Sequence, residues 1–351
     1  MHSPTGCAAS ESSCNEAKGA AGLGTMTIEA TSASRSSCTS LQGLRARLWE
    51  TPGAFYLLVF LFVGLSFGSP YFLTSANLVN VVLQASVILI MALGVTLVII
   101  TEGIDLSLGP VLGFAGVVFA LLLVGGFPYP LAMGAALLAA MAVGALNGYC
   151  VAYQNLQPFI VTLGTFGIAL SFAMALTSGE AVTGLPQGVR WFNEGEVLGL
   201  PFPIWVTAAL FVITYAVLGY TKFGRYVYAI GGNKQALVLT GTRVRLYHAG
   251  VYVYAAGCAG IAAFIMTART NSAQPIVGVG LEFDAIAAAV LGGTSFTGGK
   301  GGVVGTVAGA IAVATLRNGL NLMGVVAEWQ AAAVGFVIIA AVATDSIRGQ
   351  T

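Results

Sequence analysis

KFGRYVYAIGGNKQALVLTGTRVRL, Lys222 to Leu246, separates two apolar stretches that are each long enough to cross a bilayer. It holds five of the chain's fourteen Lys and Arg residues (Lys222, Arg225, Lys234, Arg243 and Arg245) and no acid. Basic residues crowded into a short loop beside membrane spans mark the cytoplasmic face. The loop is also too long and too patterned for a plain connector. Gly231-Gly232-Asn233-Lys234-Gln235-Ala236 reads as a turn opening into a short helix, with the Asn233 side chain placed to cap it. Such a helix is either a solvated basic anchor or a surface presented to a cytoplasmic partner.

Working outward, the composition excludes a soluble domain. Only 8% of the 351 residues are charged and 57% are apolar, which places the chain among all-α polytopic membrane proteins. The 47 glycines let helix backbones approach closely. Five cysteines (Cys7, Cys14, Cys38, Cys150 and Cys258) follow no metal or disulfide spacing. Residues 1–50 are rich in Ser, Thr, Ala and Gly without an apolar core, so they read as a disordered tail rather than a secretory signal, with Met26 an alternative start. Residues 51–351 form the membrane domain, and 221–246 its cytoplasmic loop.

Apolar segments fall at about 54–73, 80–101, 106–125, 129–151, 158–179, 202–219, 247–268, 283–296, 302–322 and 329–346. Most reach the roughly 20 residues a spanning helix needs, whereas 283–296 is short and has a re-entrant alternative. With the N-terminus inside beside Arg45 and Arg47, ten crossings place the basic loop, Lys300 and Arg348 in the cytoplasm. They place Glu180, Glu194, Glu196 and Glu328 outside, while nine crossings would put Arg348 outside. Trp191 and Phe192, in the long outer loop 179–200, read as an interface anchor or as part of an external docking surface.

Several short patterns have two readings each. Glu102 and Asp105 flank the junction of the second and third spans. A carboxylate pair there suggests a proton relay, but Asp105 is better placed as a cap for the third helix, with Glu102 at the interface. Pro158 opens the fifth span, and Thr162 and Thr165 share one face of it at i, i+3 spacing. With Phe159, Asn318 and Asn321 they are candidates for a translocation path, although hydroxyls also bond back to their own helix. Arg317, beside Asn318, should face protein or water rather than lipid. Gly109/Gly113, Gly144/Gly148 and Gly305/Gly309 are close-packing pairs. The glycine-rich run 292–302 resembles a phosphate loop only superficially. A frame counted back from Lys300 puts Thr294 where glycine is required, and Gly301 stands where Ser or Thr is needed.

Taken in order, several segments carry a resemblance. They are Ala92 to Thr101 with Gly103-Ile104-Asp105-Leu106-Ser107, Gln157 to Gly164, Phe223-Gly224-Arg225 with Ala229 to Asn233, Ser272-Ala273-Gln274-Pro275, Asp284 to Ser295, and Asn318-Gly319-Leu320-Asn321-Leu322. Over residues 55–346 the chain resembles the permeases of ribose-type sugar ABC importers. The resemblance implies a homodimeric, multi-pass inner-membrane pore with both termini cytoplasmic. It also implies a cytoplasmic ATPase that holds the ATP and Mg, a periplasmic sugar-binding protein, and a ribose-like pentose or hexose as cargo. No cofactor on this chain and no nucleic-acid partner are expected. By position, Gly231, Gly232, Asn233, Gln235, Ala236, Leu239 and Gly241 resemble the segment that docks in the ATPase. Glu102 departs from the family's usual small residue, as Pro110 does, and Thr242 stands where an aliphatic residue is common.

Two rivals remain at this level. An ion-coupled secondary transporter of a small polar solute would use Glu102 and Asp105 as its coupling site. A membrane-embedded enzyme has little support, because the two histidines, His2 and His248, show no catalytic or metal partnership.

Overall fold

The computed structural model describes residues 53–349. The tail expected over 1–50 lies outside the described residues. Helices dominate: α1 (Gly53–Gly68), α2 (Ser75–Ile100), α3 (Leu108–Val124), α4 (Tyr129–Ala152), α5 (Pro158–Thr177), a single turn α6 (Trp191–Glu194), α7 (Phe202–Tyr220), α8 (Lys222–Leu239), α9 (Val244–Thr270), α10 (Leu281–Leu291), α11 (Val303–Leu322) and α12 (Ala327–Gly349). The strands β1 (Glu196–Val197) and β2 (Leu200–Pro201) form a minimal antiparallel hairpin in the 178–201 loop. Among the described residues six helices (α2, α4, α5, α7, α9 and α11) are long and apolar enough to cross a membrane by length and composition. α1 and α3 contain shorter apolar stretches.

Local chemistry sets the helix starts. α4, α5 and α7 each carry proline in the first turn, where its missing N–H costs nothing and its fixed φ suits the helix. α2 is the central element: 89% of its most apolar window is buried, against 22% for α4, α5 and α7. Gly94 of α2 faces the Ala255 backbone of α9, and Gly103 just beyond α2 faces Tyr252, so the two helices run antiparallel.

The three spaced glycine pairs all serve packing inside this chain. Gly144 and Gly148 lie against Tyr252 and Ala249 of α9, Gly305 and Gly309 against Gly292 and Ala288, and Gly109 and Gly113 against Gly278 and Pro275. In each case an added Cβ would meet backbone atoms of the neighbour. Where lipid replaces water, such close van der Waals approach is a main force holding helices together.

Two long helices end in unwound segments. After α2, residues 101–107 leave the helix before α3 begins; after α9, residues 271–280 are non-helical before α10. α10 has 11 residues, about 16 Å of helix, roughly half of a hydrocarbon core. The short segment expected at 283–296 is therefore this half-length helix plus the start of an irregular, glycine-rich run. The two breaks are spelled alike, Gly103-Ile104-Asp105-Leu106-Ser107 and Gly280-Leu281-Glu282-Phe283-Asp284. Both place a buried acid two residues after a glycine: Asp105 is 1% exposed and Glu282 0%. Because α2 and α9 run oppositely, the two units are inverted, and they touch where Gly109 meets Gly278 and Glu282.

Contacts at either end of the 271–302 segment define two ends of the molecule. At one, Val182 and Ala273 exchange backbone hydrogen bonds of 2.9 and 3.0 Å. At the other, the Gly299 N–H donates to the Ile100 carbonyl at 2.9 Å. The second end also carries α8.

Candidate functional site

α8 is longer than the short helix expected from its sequence. It starts at Lys222, where the Thr221 hydroxyl accepts the Gly224 N–H at 3.2 Å. It breaks at Asn233 (φ −160°, ψ 88°) and resumes to Leu239. The Asn233 carboxamide oxygen accepts the Ala236 N–H at 2.8 Å, so Asn233 acts as the cap of the second half. Gly241 closes the segment at φ +75°, a conformation that favours glycine. Residues 244–246, placed in the loop by the sequence pattern, already belong to α9.

The two halves have different surroundings. In the first, Gly224, Val227, Ile230 and Gly231 are buried, and Tyr226 lies 4.5 Å from the Tyr247 ring of α9. The Tyr228 hydroxyl donates to the Gly301 carbonyl at 2.9 Å, and burial pushes its pKa upward, so the donor proton is retained. A Cβ on Gly231 would meet the Ile100 carbonyl and the Gly299 N–H, and one on Gly298 (φ +74°) would meet Glu102 and the Gly231 carbonyl. The run 292–302 is thus a seat for α8. It follows α10 rather than a strand, which removes the remaining likeness to a phosphate loop.

In the second half Gln235, Ala236, Val238 and Leu239 face outward, and Leu239 is 89% exposed. Nothing lies within 4 Å of a Cβ built on Gly232. Val238 and Leu239 thus stand as exposed aliphatic side chains on a capped helix, in a segment that also carries Lys234, Arg243 and Arg245.

The Glu102–Asp105 pair divides. Glu102 is exposed, sits at φ 61° and lies against Gly298. That left-handed conformation explains why a small residue suits the position. Asp105 is buried and anchors a chain of directed hydrogen bonds. Thr165 Oγ1 donates to Asn147 Oδ1 (2.7 Å), Asn147 Nδ2 to Ser107 Oγ (2.9 Å), and Ser107 Oγ to Asp105 Oδ1 (2.6 Å). The Ser107 N–H adds a 2.9 Å bond to the same oxygen. This corrects the cap expected of Asp105. The N-cap of α3 is Ser107, which makes no side-chain cap bond, and Asp105 instead closes a turn one step earlier.

The other path candidates are placed as follows. The Thr162 hydroxyl is bonded to the Ile104 and Pro158 carbonyls at 3.0 and 2.9 Å, which ties α5 to the unwound 101–107 segment. Phe159 is 48% exposed at the start of α5. Asn318 is buried and exchanges two amide hydrogen bonds with Asn77, at 2.9 and 3.0 Å. Asn321 is exposed and borders a polar cavity. Asn77, Asn147, Glu282 and Asp284 were not singled out from sequence. The signal for Glu282 was the repeated Gly-aliphatic-acid spelling; Asp284 and the isolated asparagines in apolar helices had no such pattern. In the 178–201 loop Phe192 turns to Tyr129, 6.0 Å between rings, while Trp191 remains 49% exposed.

With this geometry in place, comparison with known proteins identifies the class. A family model described as branched-chain amino acid transport system / permease component matches residues 77–342, so the chain belongs to that permease family. Among curated proteins it is 42% identical over 306 residues to the ribose import permease of Escherichia coli K12, covering 86% of this chain and 95% of that one. It is 36% identical to the D-allose transport system permease of the same strain over 304 residues (86% and 93%). It is 35% identical to the galactose/methyl galactoside import permease of that strain over 315 residues (84% and 94%). No solved structure matches the chain.

Proposed function

We propose that this chain is the membrane-spanning permease subunit of an ATP-driven importer that moves a monosaccharide inward. Two copies would form the pore, a cytoplasmic ATPase would supply the energy, and a periplasmic binding protein would deliver the sugar. The observation that carries the reading is α8. A kinked helix whose first half is locked to the ends of α2 and the 292–302 run, and whose second half offers Val238 and Leu239 to solvent, is built to receive a push from outside and pass it inward. The three sugar permeases matched over more than four-fifths of the chain supply the cargo class.

The topology that fits has ten crossings, the N-terminus, α8 and Arg348 in the cytoplasm, and residues 275–291 crossing as an unwound stretch plus α10. The basic residues of the α8 segment support that orientation. The ion-coupled alternative loses its site, because Glu102 and Asp105 have separate partners.

The test is bulk on the outward half of α8. Gly232→Trp and Ala236→Trp should insert normally yet abolish sugar uptake and copurification of the ATPase. Both positions are exposed, so folding should survive. Normal transport with the ATPase still bound would reduce α8 to a basic anchor.

A further inference from the structure

At the end of the molecule opposite α8 lies a cavity of about 200 Å³ walled by five helices. Its charged lining is two guanidiniums and one carboxylate, from Arg269 of α9, Arg317 of α11 and Asp284 of α10. Asp284 is fully buried and gripped at two points by Arg317, Nε to Oδ2 at 2.7 Å and Nη2 to Oδ1 at 2.8 Å, so these two charges cancel. Arg269, on the exposed rim, has no acid within ion-pair distance among the described residues. Glu282, two residues before Asp284, is turned away: its carboxylate accepts the Gly280 N–H and lies against Gly109 of α3. The cavity therefore keeps one uncompensated positive charge. Carboxamides from Gln84 of α2, Asn321 of α11 and Gln330 of α12 supply further N–H donors around it.

We infer that this cavity holds the phosphate of an anionic phospholipid, in the membrane leaflet farther from α8. A guanidinium presents a planar fork of N–H donors that matches two phosphate oxygens at once, and only an anion gains from the unpaired charge of Arg269. Free phosphate shares that chemistry, but the surroundings select a lipid. Arg269 closes the last turn of α9, whose 27 residues span about 40 Å against a hydrocarbon core of roughly 30 Å, so the rim stands at headgroup depth. Between Asn321 and Gln330, which both line the cavity, Met323, Val326 and Trp329 are exposed. An exposed tryptophan at a helix end is an anchor at that same depth, and the aliphatic side chains beside it offer acyl chains a surface outside the mouth. Inside, Ile88, Met266 and Leu281 add an aliphatic wall. The volume equals that of about seven waters, room for a phosphate and the glycerol carbons next to it but not for acyl chains. Such a site lies apart from any pore between two copies and does not depend on what the protein carries.

The test uses the purified full-length chain in detergent, with phosphatidylglycerol and phosphatidylcholine as probes and inorganic phosphate as competitor. Native mass spectrometry counts the lipids kept by each protomer. One phosphatidylglycerol should be held about tenfold or more tightly than phosphatidylcholine, whose choline offsets the phosphate charge. Arg269→Gln should lower that affinity roughly tenfold, the factor carried by one lost charge-assisted hydrogen bond. Arg269 is exposed, so the variant should fold, and an unchanged melting temperature in lipid-free detergent verifies it. Asn321→Ala, also on the rim, should give a smaller loss in the same direction. Equal retention of the two lipids, or retention indifferent to both substitutions, would overturn the site. Displacement of the lipid by an equal concentration of inorganic phosphate would overturn the lipid in favour of the free anion. If Arg269→Gln instead abolishes capture of an external binding protein while lipid retention is unchanged, the rim is a protein contact and the lipid site fails.

Discussion

The Gly299 N–H donates to the Ile100 carbonyl at 2.9 Å, which joins the glycine-rich run between α10 and α11 to the last turn of α2. Gly231 of α8 packs on that same bond, close enough that a methyl group would strike both partners. Three segments far apart in sequence therefore share one junction with no side chain between them.

Adjacent glycines in α8 should respond oppositely to the same change. Gly231→Ala forces backbone to move at the junction and should lower thermal stability in detergent and the yield of folded protein. Gly232→Ala meets open space and should be neutral or slightly stabilising, since alanine is favoured over glycine in a helix by about 1 kcal/mol. Melting of the two purified variants, followed by fluorescence, decides it; equal melting temperatures would refute the junction.

The Asn77–Asn318 pair is suited to a double-mutant cycle. Asn318→Leu leaves the Asn77 amide buried with one partner lost and should cost about 1–3 kcal/mol. Adding Asn77→Leu should recover part of that loss, because two apolar partners need no hydrogen bonds. Denaturant unfolding of the four proteins measures the coupling, and simple additivity would mean the amides do not depend on one another.

Accessibility should divide along the two ends of the molecule. In a cysteine-free background, Leu239→Cys and Lys300→Cys should label from the cytoplasmic side, and Glu180→Cys and Gln274→Cys only from the other. Labelling of positions 274 and 300 from the same side would show that residues 275–291 re-enter rather than cross.

Purified alone, the chain should not hydrolyse ATP. The run ending at Lys300 has threonine where the phosphate-loop frame needs glycine, and in the structure it is occupied in seating α8. Turnover that persists after every copurifying protein is removed would contradict this.

Six of the ten expected apolar spans were legible as long helices, because length and composition alone announce a helix able to cross about 30 Å of hydrocarbon. The Asn233 cap was legible because glycines before it and a helix-forming run after it leave few other roles. α8 proved longer than its turn-like centre suggested, because burial of Val227 and Ile230 holds Gly231 and Gly232 helical against their low propensity. The cap expected of Asp105 went instead to a turn one step earlier, because its carboxylate bonds Ser107, whose hydroxyl is in turn bonded by Asn147 of α4, 40 residues later. Thr162 and Thr165 do share a face, yet what that face meets is an unwound backbone segment, which hydropathy does not reveal. The cavity lined by Arg269 and Arg317 drew together single polar residues from five helices, and no local pattern could have grouped them.

The seat of α8 also limits how the molecule can change shape. Contacts between bare backbones at Gly231, Ile100 and Gly299 have no long side chains to stretch or re-rotamerise, so a shift of the first half of α8 cannot be absorbed there. The first half of α8, the end of α2 and the 292–302 run must travel as one block. The yielding points then lie elsewhere, at 101–107 and 271–280, where the chain has already given up its helical hydrogen bonds and can swivel without breaking more of them. The first turn of α3, just past one stretch, touches the other where Gly109 meets Gly278, so bending either one re-aims α3 and α10 together, much as a pair of shears turns on a single rivet.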